Sequence, residues 1–188
     1  EGLSTLEVWD DKLVSLGTQV IQARLALAVE LAEPLAHAYA SIAGADHRPE
    51  FQWALSVTGG DPEEGSDAAT AATAPAQIAD QFREALAARR SAELDRGLTL
   101  VGPHRDDAVL RVRGLPVKGY ASHGESWSVA LSLRLASAEL LRADSRLGDP
   151  VLILDDVFAA LGAARRVRLA ELVRGYEQVI VTAAVEQD

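Results

Sequence analysis

The chain has 188 residues, 48% hydrophobic and 24% charged, which suits a soluble globular protein with one sizeable core or one and a half domains. It has no cysteine, excluding a disulfide framework or a Cys-based zinc site, and no apolar stretch long enough to cross a bilayer. The net charge of −10 does not exclude nucleic acid, because residues 1–95 carry six Lys and Arg against sixteen Asp and Glu while residues 96–188 carry twelve of each. The lack of Met and the start at Glu1 in mid-pattern point to a fragment of a longer protein, and no signal peptide opens the chain.

Ser4-Thr5-Leu6-Glu7 has the form of a capping box. Behind it Leu6, Leu13, Leu16, Val20, Leu27, Leu31 and Leu35 recur at helical spacing, predicting a long helix, bent or interrupted near Pro34 and stopped at Gly44. Phe51–Val57 alternates like a half-buried strand. Residues 59–76 are acidic and rich in Gly, Ala, Thr and Pro, which reads as a mobile linker. A second helix carries Ile78, Phe82, Ala85 and Leu86 and stops at Gly97. Leu98–Val101 reads as a strand running into Gly102-Pro103-His104-Arg105-Asp106-Asp107. Val109, Leu110 and Val112 continue the strand signal, and Arg113-Gly114 turns into Leu115-Pro116-Val117. A helix of about twenty residues begins near Glu125. A strand at Val151–Leu154, a helix over Ala163–Val173 and a strand at Gln178–Thr182 form a βαβ unit, which implies a parallel sheet.

Two motifs carry chemistry. Val151-Leu152-Ile153-Leu154 reads as a strand covered on both faces, and it ends in Asp155 and Asp156. The carboxyl end of a parallel strand is where open α/β sheets bind ligands, and two acids there suit Mg²⁺ on a nucleotide. A capped strand end explains one Asp but not readily two. The second motif is Ser122-His123-Gly124-Glu125 before a long helix, whose N-terminus offers unpaired N–H groups and a positive dipole end to a phosphate. Ser122 or Ser126 acting only as a helix cap is the structural alternative. Order and spacing favour a joint role: Ser-x-Gly-Glu, one helix, then a strand ending in two acids.

That order resembles the ABC-type ATPases of DNA repair, in which a signature motif precedes the Walker B acids by one helix. The segments Gly102–Asp107, Lys118–Glu125 and Leu152–Phe158 are similar, in order, to the C-terminal half of the RecF recombination mediator family, in an actinobacterial version. The likeness is specific from about Leu98 to Ala184 and looser before it. It implies an α/β ABC-type head lobe over 97–188, with signature motif and Walker B, and a helical arm over 1–96. It further implies that Asp155 coordinates Mg²⁺ and that Asp156 orients the attacking water. Ser122, Gly124 and Glu125 would contact the γ-phosphate of ATP held by the other subunit. Through the family, the resemblance implies an ATP-dependent homodimer on double-stranded, gapped DNA, RecO and RecR as partners in loading RecA, and a cytoplasmic, nucleoid-associated location.

Three features depart from the family pattern. No Gly-x-x-x-x-Gly-Lys-Ser/Thr segment occurs, so the phosphate cradle is missing and this chain alone is expected neither to bind ATP tightly nor to hydrolyse it. Ala160-Leu161-Gly162 stands where members often carry an acidic Leu-Asp pair, and Val181-Thr182-Ala183 has no switch His. A metal-dependent nuclease or phosphohydrolase using Asp155, Asp156 and His104 remains a rival, as does a non-catalytic interaction module. Adjacent strand residues point to opposite faces, so His104, Arg105, Asp106 and Asp107 read as a packed or DNA-facing strand end with Arg105 paired to an acid. Arg165, Arg166 and Arg168 read as a solvated helix face, and Trp127 as core.

Overall fold

The computed structural model describes residues 2–59, 73–157 and 161–182. Phe158, Ala160, Ala183 and residues 60–72 of the predicted linker lie outside the described residues. The elements run α1 (Gly2–Ala43), β1 (Glu50–Ala54), α2 (Pro75–Arg96), β2 (Asp107–Val112), β3 (Leu115–Pro116), α3 (Val117–Tyr120), α4 (His123–Asp144), β4 (Leu152–Asp155), α5 (Ala163–Val173) and β5 (Val179–Thr182). One sheet has the order β1-β2-β3, and β4 and β5 form a separate parallel pair. The chain divides into two compact units, residues 1–29 with 52–109 and residues 30–51 with 110–188.

The first unit is built on one apolar cluster: Val14, Ile21 and Leu25 of α1, Leu55 and Val57 just after β1, Ile78, Phe82 and Leu86 of α2, and Val101. α1 is one 42-residue helix that begins before the predicted cap and continues through Pro34, so the expected interruption is absent; Gly44 ends it with φ +72 and its N–H on Ala40 O. Residues 98–101 are not a strand: the Leu100 N–H goes to the carboxylate of Glu93, which is buried, instead of to a neighbouring strand.

Asp106 is the polar centre of this unit. Its side chain has no exposed surface, and it pairs with Arg24 at 3.0 Å. It also accepts the Ser56 N–H at 2.8 Å and lies 2.9 Å from the Ser56 hydroxyl. Arg24 in turn reaches Pro103 O and stacks 4.7 Å from the Trp53 ring centre. The predicted pairing of Arg105 with an acid is therefore replaced: Arg105 donates to Thr99 O, and the partner of Asp106 comes from α1. Gly102 lies at φ +134, a conformation open essentially to glycine alone, and its N–H reaches the Ser56 hydroxyl. Asp106→Ala removes the carboxylate partner of Arg24 and the acceptor of the Ser56 N–H, while the Ser56 hydroxyl keeps Gly102 O, and should lower unfolding free energy by about 3 kcal/mol in denaturant titrations.

The second unit holds the two motifs. Leu131, Leu135 and Ala138 of α4, Leu152 and Leu154 of β4, and Leu169 and Val173 of α5 share a core with Ala38 and Ile42 of α1. β4 and β5 pair in parallel with Leu152 opposite Val179 and Asp155 opposite Thr182. Leu152 and Leu154 are buried, but Ile153 is 67% exposed and Val151 50%. The expectation of a strand covered on both faces is thus corrected: one face of β4 is covered in this chain, because among the described residues only β5 pairs with it and α4 and α5 residues pack against Leu152 and Leu154.

Candidate functional site

The turn between β2 and β3 places Arg113 and Gly114 at φ 55 and φ 76, the left-handed pair that suits a tight hairpin. The Arg113 N–H is fixed to His47 O at 2.7 Å. α3 is a single distorted turn, with Gly119 at φ 86, that delivers the chain to Ser122. Ser122 is the N-cap of α4 and forms a complete capping box with Glu125. Glu125 Oε2 accepts the Ser122 N–H at 2.9 Å and the Ser122 hydroxyl at 2.8 Å, while Oε1 takes the Arg113 guanidinium.

This box satisfies the N–H groups of Ser122 and Glu125. The N–H groups of His123 and Gly124 in the first turn have no acceptor among the described residues, the usual state of a helix start. Trp127 is 37% exposed and meets His123 edge-on, so the expected core role fails because this side of the first turn is open.

Hydrogen bonds from the Ser122 backbone and hydroxyl hold the Glu125 carboxyl below its ordinary value of 4.5, with Arg113 and His47 adding to this against partial burial. A depressed folded value means that Glu125 contributes stability above its unfolded pKa, and that this is lost as pH falls through the folded one. Glu125→Gln can still form a capping box but cannot titrate. Its melting temperature should therefore depend less steeply on pH than the parent's below about 4.5, as thermal melts across the acid range would show.

Gly124 is explained by its neighbour. Arg165 of α5 donates to Gly124 O at 3.0 Å, and a Cβ on Gly124 would lie 2.7 Å from that nitrogen. Arg168 donates to Ile42 O and Arg166 to Leu161 O. The three arginines, expected to form a solvated face, instead serve backbone carbonyls. Sequence reading missed Arg113 and Arg165 as partners of the motif, since neither lies in a recognisable pattern.

Asp155 and Asp156 stand exposed at the tip of β4. Thr182 donates its hydroxyl to Asp155 and accepts the Asp156 N–H at 3.0 Å. Asp156 lies at φ 50, which re-aims the chain immediately after the strand. No hydrogen bond or ion pair joins Ser122, Gly124 or Glu125 to Asp155 or Asp156 among the described residues; α4 and β4 share an apolar core. Among the described residues no group of three or more His, Asp and Glu is arranged to hold a metal, so the self-contained nuclease reading gains no support. Two carboxylates do suit Mg²⁺, which takes one or two protein carboxylates and its other ligands from phosphates and water.

The fold and these motifs define the class first: an α/β chain with the ABC-ATPase fold. A structure described as the recombination mediator RecF with ATP in the RecFOR pathway matches with TM-score 0.78 and 23% identity, over 100% of this chain and 47% of that one. A second RecF structure, with ATPrS, gives TM-score 0.78 and 26% identity over 100% and 48%. No family model matches. The "DNA replication and repair protein RecF" of Leifsonia xyli is 57% identical over 188 residues, 99% of this chain and 49% of that protein, and that of Clavibacter sepedonicus is 55% identical over 99% and 47%. The chain belongs to the RecF family and spans about half the length of the curated relatives it matches.

Proposed function

We propose that this chain supplies the signature motif and the acid pair of a RecF-type ATPase, a DNA replication and repair protein that closes as an ATP-dependent dimer on DNA. The supporting observation is the arrangement in one unit of a capped helix start with two open N–H donors and a parallel strand tipped by two acids, within a sequence 57% identical to RecF. Ser122 and the open N–H groups of His123 and Gly124 would meet the γ-phosphate of ATP carried by a second copy. Glu125 acts mainly by holding Ser122 in place, because both of its oxygens are engaged. Asp155 would hold Mg²⁺, which supplies charge neutralisation on the phosphates. Asp156 would orient water, so catalysis is positioning and electrostatics.

The exposed residues Val151, Ile153, Ile180 and Val181 favour the same reading. Parallel sheets are normally covered on both faces, and we take the other half of the relatives' length, with the phosphate cradle, to complete this one. Double-stranded and gapped DNA, RecO- and RecR-type mediators and a cytoplasmic site of action follow as part of the proposal. Among the described residues no helix is long and apolar enough to cross a membrane.

The test is a comparison of this chain with the full-length protein. The full-length protein should dimerise and retain gapped duplex DNA when ATP is added, and this chain alone should do neither. Mg²⁺-dependent DNA cleavage by this chain without ATP would overturn the assignment.

A further inference from the structure

We propose that Arg165 is a positioning residue that holds the signature turn against the start of α5 in the geometry that ATP-dependent dimerisation needs. The inference rests on the reading of Ser122–Glu125 and Asp155-Asp156 as two parts of an ATP site.

α5 opens at Gly162, whose carbonyl accepts the N–H groups of Arg165 at 2.9 Å and Arg166 at 3.1 Å. From this first turn the Arg165 guanidinium reaches Gly124 O at 3.0 Å, a carbonyl that Ser128 also bonds at 2.8 Å. It fills the space that glycine leaves, since a Cβ there would lie 2.7 Å from Arg165 Nη1. One turn later, on the same face, Arg168 donates to Ile42 O at 3.4 Å, and a Cβ on Gly44 would meet its Nη1.

Two glycines thus admit two guanidiniums, and α5 is tied at once to the end of α1 and to the start of α4. A short connection joins α5 to β4, whose tip carries Asp155 and Asp156. The placement of α5 therefore sets the Gly124 carbonyl through a rigid planar group. Lysine, a flexible point charge, would hold it less firmly.

The experiment uses the full-length protein with Arg165→Ala, Arg165→Lys, Gly124→Ala and the Arg165→Ala/Gly124→Ala pair. Affinity for a fluorescent ATP analogue is measured on dilute monomer, and the dimer dissociation constant by sedimentation at saturating ATP. Arg165→Ala should raise the dimer dissociation constant about tenfold while nucleotide affinity changes less than about twofold, the size of one charge-assisted hydrogen bond. Arg165→Lys should recover part of the loss. Gly124→Ala should weaken dimerisation in the parent and much less once Arg165 is gone, a non-additive cycle.

Dimerisation of Arg165→Ala at parental strength, or strictly additive costs in the cycle, overturns the inference. If Arg165→Ala does not fold, Arg165→Lys and Gly124→Ala carry the test, and parental dimerisation of both overturns it. Ser122→Asp run in parallel separates the two levels. If it too dimerises normally the ATP-site reading fails, and if it alone is defective only the role of Arg165 fails.

Discussion

Ser122→Asp in the full-length protein is expected to abolish ATP-dependent dimerisation, raising the dissociation constant about 100-fold or more. The reason is charge. Aspartate is as good an N-cap as serine, but Glu125 Oε2 accepts the Ser122 hydroxyl at 2.8 Å, so the double variant Ser122→Asp/Glu125→Gln is made beside it to keep the start of α4 free of two opposed carboxylates. It places a carboxylate where the γ-phosphate would approach, and juxtaposed like charges cost several kcal/mol. Sedimentation with and without ATP measures the effect, and a melting temperature close to the parent's shows that the fold is intact. Ser122→Arg should fail similarly through bulk, though it also removes the cap. Normal dimerisation of Ser122→Asp would leave the capping box as a purely structural feature.

Asp156→Asn should reduce ATP turnover by about 100-fold or more, the usual contribution of a positioned acid–base group, while leaving the ATP-bound dimer intact. Asparagine is chosen because Asp156 sits at φ 50, where Asn is among the few residues at ease, and its N–H can keep the Thr182 contact. Alanine there would add backbone strain of about 1 kcal/mol or more and blur the result. Phosphate release at saturating ATP reports turnover, and the dimer should be longer-lived on DNA. Asp155→Asn, which removes the proposed metal ligand, should instead weaken the Mg²⁺ dependence of nucleotide binding. If both substitutions act alike on turnover alone, the division of roles between the two acids is wrong.

The elements were largely legible. The existence of α1, the Gly97 stop of α2, the βαβ order and the capping serine of α4 all have local causes in spacing and capping and lie where the pattern places them, although Leu16, Val20 and Leu27 of the α1 pattern are exposed and Val14, Ile21 and Leu25 are buried. Two local readings failed for reasons outside their own segments. Leu98–Val101 has strand-like composition but lacks a neighbouring strand, and Glu93 takes its donor. Val151–Leu154 reads as doubly covered because parallel-sheet strands usually are, yet burial depends on what lies opposite and not on the strand.

The proposed site residues divide in the same way. Ser122, Gly124, Glu125, Asp155 and Asp156 are visible as motifs because the proposed chemistry requires those types at close spacing. Their supports are not. Arg113 reaches Glu125 of α4 from the β2–β3 turn, Arg165 reaches Gly124 from 41 positions away, and Arg24 reaches Asp106 from 82. Neighbours within a few turns of chain set the order of elements, the helix cap, the acid-tipped strand and the family likeness, so all of these are readable from residue order. Tertiary structure alone decided that Gly124 makes room for a guanidinium, that Asp106 is a buried hub and not a ligand, and that β4 shows an apolar face. Those outcomes depend on long-range packing, where one arginine in many finds a carbonyl or a carboxylate, and no local pattern marks which.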